Sequence, residues 1–192
     1  MVSVIYAHPN PKSFNHALKE AVIEVLESKG KNYQLRDLYA MGFNPVLSSL
    51  DFETFLSGSV PEDVKREQEI IKASELIIFI YPIWWTGMPA ILKGYIDRVF
   101  SYGFAYEEKD GELVGLLSDK TVVIINTLGA SALDYGPSGM EDCLRKTTDT
   151  GIFRFCGMHV IEHIFLYAVP YVSDQERKDM ITKVKSLLED LL

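Results

Sequence analysis

The most informative segment of this sequence is Leu76–Phe100, LIIFIYPIWWTGMPAILKGYIDRVF. It begins with an isoleucine-rich apolar run, Leu76–Tyr81, which is too short for a helix and is bounded by Pro82. Such a run is typical of a strand that is buried on both faces, as in a parallel sheet. Beyond it, Pro89 precedes apolar residues spaced by three and four, which predicts a helix over Met88–Phe100. We therefore expect a central strand followed by a helix.

The turn between this strand and this helix carries two adjacent tryptophans, Trp84 and Trp85, followed by Thr86 and Gly87. Because consecutive side chains of an extended chain point apart, we expect one tryptophan in the core and the other on a ligand face. Ligands of open α/β sheets bind outside the carboxyl ends of the strands. A flat aromatic ligand would suit a loop of this composition.

The composition is that of a soluble globular protein. The chain has 192 residues, of which 47% are hydrophobic and 24% charged, so we expect a single domain over residues 1–192. The net charge of −8 and the lack of a basic patch argue against a nucleic-acid partner. No apolar run reaches the roughly 18 residues of a membrane span, and the chain begins with a strand pattern rather than a signal peptide. These features predict a cytoplasmic protein without membrane insertion.

Cysteine and histidine spacing gives no indication of a metal site. Cys143 and Cys156 form no CxxC motif and are expected to be small buried hydrophobic residues. His159 and His163 are four residues apart, but both lie on a predicted strand, where this spacing does not form a helical ligand pair. We predict no bound metal.

The whole chain shows alternating strand and helix patterns. The predicted strands are Met1–Ala7, Tyr33–Leu38, Leu76–Tyr81, Thr121–Asn126 and His159–Leu166. The predicted helices are Asn15–Lys29, Pro61–Ser74, Met88–Phe100, Met140–Phe155 and Ser173–Leu192. This alternation predicts an α/β sandwich of three layers, with helices on both faces of a five-stranded parallel sheet in the order 2-1-3-4-5.

Longer connections separate some of these elements. Residues 39–59 are expected to be a loop with a turn of helix near Asp51–Leu56. Residues 101–118 are expected to form a loop that contains a small hairpin over Glu107–Leu113. A glycine- and serine-rich loop is predicted over Thr127–Gly139.

In this strand order the loops after strands 1, 3 and 4 lie side by side. The first, His8–Asn15, lacks glycine and matches neither G-x-G-x-x-G nor a P-loop, which disfavours a nucleoside triphosphate. It places Ser13 and Asn15 at a helix N-terminus, where free N–H groups can bind a phosphate and where His8 could add a donor. The alternative is that Ser13 or Asn15 is only an N-cap and His8 only a turn residue.

The other two loops would supply the remaining parts of a binding site. Pro82–Gly87 provides an aromatic wall, and Thr127–Tyr135 begins with small residues whose backbone amides can approach a polar ring edge. The alternatives are a packed tryptophan and a merely flexible loop. Together the three loops provide a phosphate pocket, an aromatic wall and an amide-lined edge, which is what flavin mononucleotide (FMN) requires.

Three motifs carry a family resemblance. HPNPKSFNHAL (8–18), YPIWWTGMPAILKGYIDRVF (81–100) and GFAY (103–106) resemble the NAD(P)H:quinone oxidoreductase family, flavodoxin-like flavoproteins that include DT-diaphorase. The chain is also similar to bacterial general-stress oxidoreductases and to ancillary subunits of potassium-efflux systems. The resemblance extends over nearly the whole chain.

The resemblance implies a tightly bound flavin, reduction by NAD or NADP in reduced form, and two-electron ping-pong hydride transfer to a quinone, with azo and nitro compounds as side substrates. It implies a homodimer in which the helix Met88–Phe100 forms part of the interface, and it implies Tyr135 as the catalytic tyrosine above the ring. The implied flavin-binding residues are His8, Ser13, Phe14, Asn15, Pro82, Ile83, Trp84, Trp85, Thr86, Thr127, Leu128, Gly129 and Tyr135.

The sequence departs from the family pattern at two places. In DT-diaphorase a histidine that relays charge follows the tyrosine by six residues, whereas this chain has Glu141 there, so any proton relay must differ or be absent. The chain also ends at Leu192, without the C-terminal extension that helps the vertebrate enzymes to hold FAD, which favours FMN over FAD.

Two other functions remain open at this point. One is a flavin-binding regulatory subunit that acts through a potassium-efflux transporter as a peripheral partner. The other is a flavodoxin-type electron carrier that works in one-electron steps. The sequence does not settle whether NADH or NADPH is used, nor what the physiological acceptor is.

Overall fold

The computed structural model describes residues 1–56 and 58–192 and confirms the predicted sheet. Five parallel strands are arranged in the order β2-β1-β3-β6-β7, which is the predicted 2-1-3-4-5 pattern. A separate two-stranded antiparallel sheet, β4-β5, forms the predicted hairpin. The strands are β1 (Val2–Tyr6), β2 (Tyr33–Asp37), β3 (Leu76–Pro82), β4 (Tyr106–Lys109), β5 (Glu112–Gly115), β6 (Thr121–Thr127) and β7 (His159–Leu166).

Helices cover both faces of the parallel sheet. They are α1 (Phe14–Ser28), α2 (Ser49–Leu56), α3 (Glu62–Ala73), α4 (Ala90–Val99), α5 (Ala132–Tyr135), α6 (Met140–Arg145), a π-helix (Lys146–Arg154) and α7 (Asp174–Leu191). That residues 1–192 form one domain stays a prediction.

The central strands separate two hydrophobic cores. Side chains of β3 alternate between them, so that Ile77 and Phe79 pack on one side and Ile78 and Ile80 on the other. All four are fully buried. This is why the strand has no polar face in the sequence, and it places the carboxyl end of β3 at the middle of the sheet edge.

The helix ends follow ordinary capping chemistry. Ser13 is the N-cap of α1, and its Oγ accepts a hydrogen bond from the His16 N–H at 3.1 Å. Ser173 and Glu176 form the capping box of α7. Pro89 is the N-cap residue of α4, so this helix begins directly after the tryptophan turn.

Three helical regions differ from the sequence-based expectation. α2 begins at Ser49 and is longer than the single turn predicted near Asp51–Leu56. The loop predicted over Thr127–Gly139 contains the short helix α5. The single helix predicted over Met140–Phe155 is instead α6 followed by a π-helix, in a segment where Thr147, Thr148 and Gly151 weaken regular α-helical structure.

A buried arginine connects three helices on one face. Arg98 of α4 donates from Nε to Asp51 of α2 at 2.8 Å and from Nη1 to Asp63 of α3 at 2.5 Å. The Arg98 and Asp51 side chains are 5% and 2% exposed. Nearby, Glu67 of α3 is paired with Arg36 of β2. These ion pairs hold the helices that flank the β3–α4 segment.

No described helix is long and apolar enough to cross a membrane. Within residues 1–56 and 58–192, no cluster of three or more histidine, cysteine or acidic side chains is arranged to hold a metal ion.

Candidate functional site

A cavity of about 570 Å³ lies at the carboxyl edge of the parallel sheet. It is enclosed by the segments that follow β1, β3, β6 and β7. Its lining residues are His8, Ser13, Phe14, Asn15, Pro82, Ile83, Trp84, Trp85, Thr127, Leu128, Gly129, Val169 and Pro170.

The structure thus brings together most of the residues singled out from the sequence. Of the predicted set, Thr86 and Tyr135 do not line this cavity, whereas Val169 and Pro170 line it and were missed. Both missed residues follow β7, which is the neighbour of β6 in the sheet. The rule that ligands bind at the carboxyl ends of parallel strands could have found them, had it been applied to this last strand.

The N-terminus of α1 forms one end of the cavity. Because Phe14 and Asn15 occupy the first turn, their backbone N–H groups have no intrahelical partner. The Asn15 side chain is 4% exposed, and its Nδ2 donates to Thr127 Oγ1 at 2.7 Å. Asn15 Oδ1 is buried with no hydrogen-bond partner among the described residues. This end of the cavity therefore offers both donors and one unused acceptor.

His8 lies beside the same end, and its hydrogen bonding fixes its tautomer. The His8 Nδ1 accepts from the Asn10 N–H at 3.0 Å, which leaves the proton on Nε2. Burial lowers the pKa of His8, against the opposing effect of the Asn10 contact, so the ring is neutral at pH 7. Its ring centroid is 5.6 Å from that of Trp84. The prediction that His8 could add a donor agrees with this arrangement.

The expectation that one tryptophan belongs to the core is wrong. Trp84 is 41% exposed and Trp85 is 101% exposed, so neither is packed inside. The alternation rule fails because β3 ends at Pro82 and the chain then makes a tight turn. The Trp84 N–H donates to the Gly87 carbonyl, and the Gly87 N–H donates to the Trp84 carbonyl, both at 3.1 Å.

This turn has the geometry of type I′, with positive φ at both central residues. The φ angles are 49° at Trp85 and 58° at Thr86, a region that favours glycine or asparagine. For a β-branched residue such as threonine the conformation is a genuine outlier. Backbone strain of this kind is concentrated at ligand sites, and here it borders the cavity.

We expect Thr86→Gly to raise the free energy of unfolding by about 0.5–1 kcal/mol. Glycine removes the left-handed penalty but gives the unfolded chain more conformational entropy, and the first effect is the larger. The measurement is urea unfolding of the ligand-free protein. As a control, Thr182→Gly in the middle of α7 should change stability in the opposite direction. A loss of stability in the Thr86 variant would contradict the assignment of strain.

The strands beside the cavity leave only some amides free. Ile83 N–H donates to the Thr127 carbonyl at 2.8 Å, and Leu128 N–H donates to the Leu166 carbonyl at 2.9 Å. These two amides are therefore already used, and the second belongs to the loop whose backbone amides were expected to approach a ligand. Among the described residues, the N–H groups of Trp85, Thr86 and Gly129 have no backbone acceptor. A Cβ added at Gly129 would meet no atom within 4 Å, so its backbone is open to a ligand.

The fold and this edge geometry agree with a comparison against protein families. The family described as "Flavodoxin-like fold" matches residues 1–188. The chain belongs to this flavodoxin-like family.

Several proteins that are similar to this chain have oxidoreductase names. The chain is 39% identical to an "Uncharacterized NAD(P)H oxidoreductase" of Haemophilus influenzae over 179 residues, which are 93% of this chain and 89% of that protein. It is 32% identical to NAD(P)H dehydrogenase (quinone) 1 of Rattus norvegicus, covering 97% of this chain and 75% of the other. The solved NAD(P)H:quinone oxidoreductase from Methanothermobacter marburgensis matches with a TM-score of 0.90 at 31% identity, covering 100% of this chain and 98% of the other.

In this chain a hydrogen-bonded group of Tyr167, Glu141 and Arg145 lies beside Tyr135. The Tyr135 ring centroid is 6.4 Å from that of Tyr167, whose hydroxyl donates to Glu141. Arg145 donates from Nη2 to the other Glu141 oxygen at 2.9 Å. The hydrogen bond from Tyr167, aided by Arg145, lowers the pKa of Glu141, while burial and Glu141 raise the pKa of Tyr167. Glu141 is thus an ionised, fully engaged carboxylate at the position six residues after Tyr135.

Proposed function

We propose that this protein is an FMN-dependent NAD(P)H:quinone oxidoreductase. The proposal rests on one observation. The N-terminus of α1, the unpaired Oδ1 of Asn15 and the tryptophan turn all border the same cavity. The names of the relatives point to the same reaction class. The alternative of a regulatory subunit for a potassium-efflux transporter gains no support from these relatives.

The residues at the cavity fit FMN in polarity. A phosphate suits the first turn of α1, where the N–H groups of Phe14 and Asn15 carry the positive end of the helix dipole. Leaving the buried Asn15 Oδ1 unpaired costs about 1–3 kcal/mol, and a hydroxyl of a sugar-like chain would remove that cost. The neutral His8 supplies a further donor through Nε2.

The other walls would hold the ring system. Trp84 and Trp85 provide aromatic surface, and the N–H groups of Trp85 and Thr86 are available to its polar atoms. The Gly129 backbone, with Thr127 and Leu128 beside it, would border the pyrimidine edge. Val169 and Pro170 close the cavity on the β7 side.

When bound, FMN supplies hydride transfer between the nicotinamide cofactor and the quinone. The protein's own residues position the cofactor, exclude water from one face and place N–H dipoles where negative charge develops. Tyr135 lies on α5 outside the cavity itself, so we assign it to the rim, where it would contact the second substrate.

The proposal includes a homodimer in the cytoplasm, with α4 in the interface. Trp85 is fully exposed at the rim, next to the start of α4, and a second subunit would cover this surface and complete the site. NAD or NADP in reduced form and a small quinone are the substrates, which react in turn at one site.

The experiment is a test of cofactor content and turnover. We expect the purified protein to bind FMN and to oxidise NADH or NADPH when menadione or benzoquinone is added, with release of the bound flavin on denaturation. Gel filtration of the loaded protein checks the dimer. A protein that takes up no FMN and shows no quinone-dependent oxidation would refute the proposed function.

A further inference from the structure

Two backbone irregularities meet behind the cavity. A β-bulge interrupts the pairing of β6 with β7, so that Val122 opposes Val160 but Val123 opposes Glu162. The extra residue reverses the side-chain alternation of β7 beyond that point. Val160 packs in the same core as Val122, whereas Ile164 and Leu166 pack in the opposite core.

The bulge therefore turns His163 toward the helical segment on the Val122 side. That segment is the π-helix, which carries Asp149. The His163 and Asp149 side chains are 1% and 7% exposed, and His163 Nδ1 is 2.6 Å from Asp149 Oδ1. Bulges and π-helices are both over-represented at functional sites, and here a side chain from each meets in one contact.

The hydrogen bonds of this pair require a bound proton. His163 Nε2 is 2.7 Å from Asn126 Oδ1, and Asn126 Nδ2 donates to the Tyr81 carbonyl at 3.3 Å. Because the Tyr81 carbonyl fixes the orientation of the Asn126 amide, Oδ1 faces the histidine and Nε2 must carry a proton. The contact between Nδ1 and Asp149 holds a second proton. The Asp149–His163 pair is consequently neutral as a whole, with the proton on either partner.

Two of the residues in these hydrogen bonds are next in the chain to residues that line the cavity. Asn126 precedes Thr127, whose Oγ1 accepts from Asn15, and Tyr81 precedes Pro82. Asn15, Pro82 and Thr127 all line the cavity. Through Asn126, the pair is thus connected to the ends of β3 and β6 that border the cavity.

We infer that His163 is a positioning residue of the flavin site. Through Asn126 it holds the carboxyl ends of β3 and β6, and it balances the negative charge of the Asp149 carboxylate behind the end of the cavity proposed for the pyrimidine edge. The inference rests on the proposed function and assigns to this chain a second layer of residues that determines how tightly the flavin is held and how easily it is reduced. A well-packed apolar pair would hold two strands without the desolvation cost of a buried ion pair. We therefore expect the buried Asp149–His163 pair to act on the site through its electrostatics as well as through its hydrogen bonds.

The main test compares His163→Gln with the double variant His163→Gln/Asp149→Asn, both loaded with FMN. Glutamine cannot supply the Asp149 proton, so the single variant leaves a buried carboxylate without its partner, and its negative charge disfavours addition of electrons to the flavin. We expect a lower midpoint potential of the bound flavin and FMN affinity reduced about tenfold. The double variant removes the carboxylate and should restore the potential toward that of the wild type.

The matched control is His159→Gln, an exposed histidine on the same strand. It should leave affinity and potential unchanged. A folded His163→Gln protein with wild-type FMN affinity and potential, or a double variant whose potential stays as low as that of the single variant, would overturn the inference. A wild-type chain that binds no FMN would instead refute the proposed function, so the two failures are distinguishable.

A measurement on the unaltered protein covers the case in which the variants do not fold. Histidine-selective ¹⁵N NMR should show one histidine whose Nε2 carries a proton in a hydrogen bond, and its signals should shift when FMN is added. If His163 Nε2 carries no proton, or if its signals do not respond to FMN, the inference is wrong.

Discussion

Replacing Asn15 with leucine is expected to weaken FMN binding about tenfold to a hundredfold. The change removes a cavity-lining buried acceptor, Asn15 Oδ1, that has no partner among the described residues. It also removes the Nδ2 donor that holds Thr127 Oγ1 at 2.7 Å. The measurement is fluorescence titration of the ligand-free protein with FMN.

The same variant should lose no more than about 1 kcal/mol of stability in the absence of FMN. Losing the donor to Thr127 Oγ1 is destabilising, but removing the unpaired Asn15 Oδ1 from the interior is favourable and opposes it. Asn32→Leu, at an exposed position at the opposite end of the sheet, is the control for the change in residue type and should bind FMN normally. Unchanged FMN affinity in Asn15→Leu would remove this residue from the site.

Replacing Arg98 with methionine should lower the free energy of unfolding by about 3–5 kcal/mol. Asp51 is almost fully buried and would lose its cation, although Ser48 still donates to it from its N–H and its hydroxyl. The Asn44 carbonyl would also lose its Arg98 donor, which lies at 3.0 Å. Asp63 is half exposed, so losing its ion pair with Arg98 costs little stability. Chemical denaturation at pH 7 measures the effect.

At acid pH the free energies of unfolding of Arg98→Met and the wild type should differ less than at pH 7. The hydrogen bond from Arg98 lowers the pKa of Asp63. At Asp51, burial acts to raise the pKa, but hydrogen bonds from Ser48 and Arg98 outweigh it and the pKa is lowered. Carboxylates with a lowered pKa in the folded state stabilise it above their ordinary pKa, and this contribution is lost as the pH falls through the folded value. The control is Arg66→Met, at an exposed position on α3. Its free energy of unfolding should stay within about 0.5 kcal/mol of that of the wild type. An equally small effect at Arg98 would contradict the role of the ion pairs.

The sheet could be predicted from the sequence because its strands obey simple periodicity. The uninterrupted apolar run of β3 and the β-branched run of β6 have one structural solution, a strand buried on both faces. Once the strand order is known, the proximity of Ser13, Trp84 and Gly129 follows from topology alone. Eleven of the predicted residues line the cavity for this reason.

The parts that escaped prediction depend on contacts or on exceptions to periodicity. A type I′ turn at Trp85 and Thr86 contradicts the preferences of both residues, so local sequence gives no sign of it. The π-helix and the β-bulge each shift a register, which no fixed period can represent. Whether Ile83 or Leu128 amides are free depends on partners 44 and 38 residues away along the chain, at Thr127 and Leu166.

The placement of the tryptophans makes the protein its own optical reporter. The sequence contains two tryptophans, and both lie on the rim of the cavity. Indole emission from this chain therefore arises entirely beside the ligand, and energy transfer to an isoalloxazine chromophore would quench it. Cofactor occupancy can be followed in real time on the unlabelled wild-type chain, with Trp84→Phe and Trp85→Phe dividing the signal between the two rings.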